Sequence, residues 1–216
     1  MRVEKSWPSR AGAPCARARW MAAWVGTACA WFAVGAAAQS ATPAAPASIP
    51  VTQRLTVCGA CHSADGRSTL ADVPSLAAQP KVFLETQLVL IREGLRDVPQ
   101  MKGMLDGVTD ADLIAMAAHY AALPLAAQPG LRRTDAFERG KALSDRALCN
   151  SCHLPTYLGQ QQVPRLAGQR EDYLLYSMRQ FRDGKAVGRD SIMASSLYGI
   201  TDVQLLDLAH FLSQLK

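Results

Sequence analysis

The chain has 216 residues, with 23 Lys and Arg against 18 Asp and Glu, a formal net charge of +5 and a pI near 9.0. Five of those basic residues and one acid, Glu4, lie in the first nineteen positions. The rest carries 18 basic against 17 acidic side chains, which excludes an argument for nucleic-acid binding from charge. From Ser40 to Gln128 there are 6 basic and 8 acidic residues, and from Pro129 to Lys216 there are 12 and 9, an asymmetry able to orient a partner or ordinary surface scatter.

Arg2, Lys5, Arg10, Arg17 and Arg19 precede the apolar run "WMAAWVGTACAWFAVG", and "AAAQS" then offers small residues for cleavage. Residues 1–38 therefore read as a secretory signal peptide cut after Ala38, which predicts a periplasmic mature protein beginning at Gln39. The competing reading is a retained anchor, because the apolar stretch from Trp20 to Ala38 is just long enough to span a bilayer. Gly26 argues against a lipoprotein cut at Cys29, and no Arg-Arg pair marks the twin-arginine route. Residues 39–50, "QSATPAAPASIP", have no apolar period and are expected to form a disordered lead.

Two blocks follow, 51–124 and 135–216, joined by a linker at 125–134 that contains Pro129 and Gly130. They repeat each other at nearly constant offset. "CGACH" at Cys58 matches "CNSCH" at Cys149 with offset 91, and "VPSLAAQP" at Val73 matches "VPRLAGQR" at Val163 with offset 90. "FLETQLVLIREG" at Phe83 matches "YLLYSMRQFRDG" at Tyr173, again at 90. "VTDADLIAMAAHY" at Val108 matches "ITDVQLLDLAHFL" at Ile200 at 92.

Each block reads as helical. Middle helices are expected near Phe83–Glu93 and Tyr173–Asp183, each closed by a glycine, Gly94 or Gly184, in a left-handed cap. Closing helices carry the stripes Leu113, Met116, Ala117, Tyr120 and Leu205, Leu208, Ala209, Leu212. Thr109 and Thr201 are their N-caps, with Asp110 and Asp202 in the first turns. The second block has "DAFERGKALSDRAL" for an opening helix, whereas the first has little room for one before Cys58. No convincing strand is found. Three or four short helices in about 80 residues make a thin core that needs an added staple.

Cys-x-x-Cys-His is the attachment sequence of c-type haem: two thiols one helical turn apart add to the haem vinyls, and the adjoining His reaches the iron. Cys58, Cys61, Cys149 and Cys152 could instead form disulfides, a shared zinc site or a redox dithiol. None of these explains the His that ends both copies, His62 and His153. The expected cofactors are therefore two covalently bound haem c groups, which would also complete each thin core.

A His/Met pair suits electron transfer. In the second block Met178 lies within an amphipathic helix and reads as core, which leaves Met193, in the irregular stretch "RDSIMASSLYG", as sixth ligand. In the first block offset 92 carries Met101 onto Met193 and Met104 onto Ser196, so Met101 is preferred and Met104 is the fallback. His119 and His210 fall at non-equivalent places and read as surface or domain-interface residues. Pro74 and Pro164 recur twelve and eleven residues after the motif histidines, and their carbonyls are candidate acceptors for the second ring N–H.

With the two CxxCH motifs, "PSLAAQ" and "PRLAGQ", "QMKGMLDGVTDADL" and "IMASSLYGITDVQL", the chain from Val51 to Lys216 resembles the dihaem cytochromes of the cytochrome c4 family. The resemblance implies an all-α fold of two tandem class I cytochrome c domains, iron ligation by Met101 and Met193, and two-fold packing of the halves with propionates face to face. It also implies an exported carrier between a donor, a bc-type quinol-oxidising complex or a dehydrogenase, and a terminal oxidase. Two departures stand out: Ser63 replaces the family's Gly after the first motif, and "LPTYLGQQQ" after the second lacks the Asp65-Gly66 turn. They leave room for a c4-like subunit dedicated to one dehydrogenase. Function is read as outer-sphere electron transfer through transient docking, not as an enzyme; the alternative is a dihaem peroxidase-like enzyme, which would need one open iron position.

Overall fold

The computed structural model describes residues 49–125 and 130–216, so the expected signal peptide with its cleavage site, most of the expected lead and part of the linker lie outside the described residues. Eight α-helices occur among them: α1 (Val51–His62), α2 (Lys81–Arg92), α3 (Asp110–Ala122), α4 (Thr134–Arg146), α5 (Asn150–His153), α6 (Glu171–Arg182), α7 (Ser191–Ser196) and α8 (Asp202–Ser213). A 3-10 turn spans Pro99–Met101. The one extended pairing among these residues is an isolated bridge between Gln160 and Val163. Among the described residues the protein is all-α, built of two similar helical halves in tandem.

The two closing helices start as the sequence predicts. Thr109 and Asp112 form a reciprocal capping box at the head of α3, and Thr201 and Gln204 repeat it at α8. Each is held from the side by an arginine at the end of the middle helix. Arg92 donates to the Val108 carbonyl at 3.0 Å and pairs with Asp110 at 2.8 Å. Arg182, ninety residues on, donates to the Ile200 carbonyl at 3.2 Å and pairs with Asp202 at 2.6 Å. Gly94 and Gly184 both take φ of 68°, closing α2 and α6 in the left-handed region.

The apolar clusters stay within the halves. Leu84, Leu105, Val108, Leu113, Met116, Ala117 and Tyr120 are buried in the first half. The second half buries a larger set around Phe137, Leu174, Met178, Phe181, Leu205, Leu208, Phe211 and Leu212. Their difference traces to the opening helices, where the structure corrects the sequence reading. The first half does have an opening helix: α1 runs unbroken from Val51 through the whole CGACH motif. In the second half the corresponding stretch is broken, because Leu148 adopts a φ of 54° between α4 and α5. The break frees α4 to cross α8, and Gly140 lies so close there that a Cβ would stand 2.1 Å from the Asp207 carbonyl oxygen. Arg139 clamps the crossing with two hydrogen bonds to Asp207, at 2.7 and 2.9 Å.

After each motif the chain turns sharply, at Ser63 (φ 64°) and Leu154 (φ 69°). The missing Asp-Gly turn of the second half is nevertheless present in the backbone. In the first half the Gly66 carbonyl accepts from the N–H groups of Leu76 and Ala77. In the second half the Tyr157 carbonyl accepts from those of Leu166 and Ala167. Tyr157 therefore occupies the left-handed position of a glycine, with φ of 56°. Its ring offsets that strain by packing edge-on against Phe211 and bonding the Ser144 hydroxyl at 2.8 Å. Replacement of Tyr157 by glycine is expected to destabilise the second half by about 3 kcal/mol, since the lost aromatic burial outweighs the relieved backbone. A melting temperature unchanged by Tyr157→Gly would refute that balance.

The halves meet through a reciprocal pattern. The Gln79 side chain donates to the Arg165 carbonyl and accepts from the Arg165 N–H, both at 3.0 Å. The Gln169 side chain does the same to Ser75, at 2.9 and 2.8 Å. Under the repeat Gln79 corresponds to Gln169 and Ser75 to Arg165, so each half offers the other the same two positions. That is the isologous bonding of a two-fold relation. Gly188 completes the contact, where a Cβ would lie 1.9 Å from the Leu95 carbonyl oxygen.

Candidate functional site

Each half presents its motif in the same way. On α1, Cys58 is half-buried against Leu55 and the first core, Cys61 is exposed, and His62 is buried. Around α5, Cys149 is half-buried against the second core, Cys152 is exposed and His153 is buried. No disulfide joins the four motif cysteines. Among the described residues no three His, Cys, Asp or Glu side chains converge on a metal-sized site, which removes the shared-zinc arrangement. One thiol faces the core and one faces solvent, so a group bound by both lies at the edge of the core.

The histidines are fixed by the predicted acceptors. His62 Nδ1 lies 2.9 Å from the Pro74 carbonyl oxygen, and His153 Nδ1 lies 2.9 Å from that of Pro164. A carbonyl only accepts, so Nδ1 carries the proton and Nε2 keeps the lone pair a metal requires. Burial pushes both imidazole pKa values down, opposed by the bond to proline, and the rings remain neutral at pH 7. Burial also pushes up the Cys58 and Cys149 thiols. The donor set fits haem: two thiols three residues apart along one helical turn, and a neutral imidazole with its ring orientation fixed.

Met101 ends the 3-10 turn and is half-buried, whereas Met104 is 55% exposed. Met193 is half-buried against the second core. It lies not in an irregular stretch but on the short helix α7, which Asp190 caps by accepting from the Ile192 N–H at 2.8 Å. Met178 is buried on α6, as its amphipathic setting predicts. His119 is exposed, its ring edge-on to Tyr120.

His210 departs from expectation. It is 1% exposed, inside the second half, and neither a surface nor a junction residue. Nδ1 lies 2.8 Å from Glu171 Oε2, and Nε2 accepts from the Arg133 N–H at 2.9 Å, so the ring ties the entry to α4 onto α6. Both nitrogens are engaged, and no bis-His centre can use it. Sequence reasoning also passed over Gln79 and Gln169, although both lie in the repeated "LAAQ" and "LAGQ" and their recurrence was a usable signal.

Two motif-bearing helices, each with a histidine held by a proline carbonyl, in an all-α duplicated chain define a c-type cytochrome. The comparisons agree. The profile of the family described as Cytochrome c matches residues 137–216. Cytochrome c4 of Pseudomonas aeruginosa is 31% identical over 171 residues, spanning 75% of this chain and 85% of the relative. The thiosulfate dehydrogenase electron acceptor of Thiomonas intermedia is 29% identical, spanning 80% and 84%. The crystal structure of reduced recombinant cytochrome c4 from Pseudomonas stutzeri superposes with a TM-score of 0.70 at 27% identity, covering 78% of this chain and all of that one. The chain belongs to the cytochrome c4 family. It is an electron-transfer protein with two covalently bound haem c groups.

Proposed function

We propose that Cys58 and Cys61 bind one haem and Cys149 and Cys152 the other, with His62 and Met101, and His153 and Met193, as the iron-ligand pairs. The observation that carries this reading is the bond of His62 Nδ1 and of His153 Nδ1 to a proline carbonyl at the same 2.9 Å, directly behind each motif. When bound, haem supplies a reversible one-electron iron couple. The motif cysteines would hold it covalently, the proline carbonyls would fix the imidazoles, and Met101 and Met193 would complete the ligand pairs, so that no substrate would reach the metal and transfer would be outer-sphere. Cys61 and Cys152 are exposed, so the surface that carries them is the one a partner would approach.

The protein works in the periplasm after cleavage at Ala38, and docking is weak and transient. No helix among the described residues is long and apolar enough to cross a membrane. The donor is a bc-type complex or a dehydrogenase, and the acceptor a terminal oxidase. The relative named a thiosulfate dehydrogenase electron acceptor favours the dehydrogenase, and a c4-like subunit serving one such enzyme is the second reading.

Methionine substitutions test the ligands and the rejected peroxidase-like alternative together. Met101→Ala and Met193→Ala should each remove about half of the absorbance near ~695 nm that marks His/Met ligation, and open one iron to carbon monoxide. Met104→Ala should do neither. Carbon monoxide binding by the unmodified protein would instead favour the enzyme.

A further inference from the structure

The two segments that carry Met101 and Met193 leave their middle helices along different paths, yet each is fastened back to the same place. In the second half the Arg189 guanidinium lies 3.9 Å over the Phe181 ring of α6, and its Nη2 donates to the Ser177 hydroxyl at 2.7 Å. Ser177 and Phe181 stand one helical turn apart and are both buried, so the arginine lies along that turn. In the first half Arg96 Nη1 donates to the Gln87 side chain of α2. Offset 90 carries Gln87 onto Ser177, so the two arginines grip the same helix position. They are not repeat equivalents themselves: at that offset Arg96 falls on Ala186 and Arg189 on Pro99.

Each arginine stands just ahead of a candidate ligand. Met193 follows Arg189 by four residues, and Met101 follows Arg96 by five. The second segment is the more firmly held. Asp190, next after Arg189, caps α7 by accepting from the Ile192 N–H at 2.8 Å, which carries the fixed position on to Met193 in the first turn. A guanidinium over an aromatic face also adds attraction beyond its hydrogen bond. The first segment has neither device. Ile91 stands where the second half has Phe181, and Val98 opens the 3-10 turn of Met101 without a side-chain cap. Pro99 stiffens that turn, but only locally.

Resting on the ligand assignment above, we propose that Arg189 and Arg96 are positioning residues for Met193 and Met101, and that Met101 is the axial ligand that yields first. A methionine leaves iron only when its segment swings away, so whatever fastens the segment to the middle helix also opposes exchange of the ligand. An added competitor such as imidazole then takes the first centre at a lower concentration than the second. The two centres differ in how readily they open, while both stay closed in the resting protein.

The test is an imidazole titration of the oxidised, haem-loaded protein, followed by the absorbance at ~695 nm that marks His/Met ligation, with intact mass and far-ultraviolet circular dichroism on the same samples. Wild-type protein is expected to lose the band in two steps separated by about threefold in imidazole, and Met101→Ala to keep only the later step. Arg189→Gln should move the later step down toward the earlier one while haem content and helicity stay unchanged. Arg189→Lys, whose ammonium can still lie over Phe181, should move it less, and Arg96→Gln should lower the earlier step. A single step in wild-type protein, loss of the later step in Met101→Ala, or an unmoved later step in Arg189→Gln would overturn the proposal. Should Arg189→Gln not fold, Ser177→Ala decides, since it removes only the hydrogen bond: the later step is expected to move down, and an unmoved step refutes the role of Arg189. A wild-type chain with fewer than two haems, or with no band at ~695 nm, would overturn the ligand assignment itself and the proposal with it.

Discussion

His153→Ala is expected to yield a protein that keeps two haems by mass but has one iron changed from low to high spin. Cys149 and Cys152 would still hold the group, because attachment uses the thiols and not the imidazole. The iron would lose the imidazole assigned to it, and the half-buried Pro164 carbonyl would lose its donor at 2.9 Å, costing about 1 kcal/mol of stability. Carbon monoxide should bind at one iron per chain, and the absorbance near ~695 nm should fall by about half. The first half should be spared, because its apolar clusters share no residue with those of the second. His62→Ala should produce the mirror result through Pro74. Retention of the full low-spin spectrum after either change would remove that histidine from the iron.

Gly140→Ala is expected to be strongly damaging to the second half. The added Cβ would stand 2.1 Å from the Asp207 carbonyl oxygen and 2.7 Å from the Phe211 Cβ, the first a backbone atom that cannot rotate away. Relief requires α4 and α8 to separate, which would disturb the paired bonds of Arg139 to Asp207 and the packing of Phe137 against Phe211. Overpacking of this kind costs about 3 kcal/mol or more, which for a domain of this size lowers the melting temperature by roughly 10–20 °C. A loss of only a degree or two in a thermal melt followed by circular dichroism would show that the crossing can relax. At the position nine residues before the first motif the chain has Ile49, which precedes α1, so the first half offers no equivalent crossing.

The sequence makes the repetitive and local features legible. Thr109 and Thr201 begin their helices, Gly94 and Gly184 end theirs, and the proline carbonyls meet the histidines, because these depend on neighbours a few residues away or on a pattern written twice. Features set by one-off tertiary partners are not legible. Tyr157 looks like the loss of a turn, but a ring filling the space beside Phe211 and bonding Ser144 lets a non-glycine residue hold a left-handed backbone. His210 looks like a surface residue because its partners, Glu171 and Arg133, lie 39 and 77 positions away. The opening helix α4 forms on the stretch the sequence marks for it, but the break at Leu148 that lets it cross α8 is not legible, nor is the α1 helix that runs unbroken into the first motif where little room was expected.

The most direct measurement of the central claim is the oxidised and reduced optical spectrum, with intact mass and carbon monoxide exposure, of protein exported in a host that attaches haem. The account predicts two covalent haems on a chain beginning at Gln39, low-spin spectra in both states, an oxidised-state band near ~695 nm and no carbon monoxide adduct. One haem, or a high-spin iron that binds carbon monoxide in the unmodified protein, would contradict two closed electron-transfer centres.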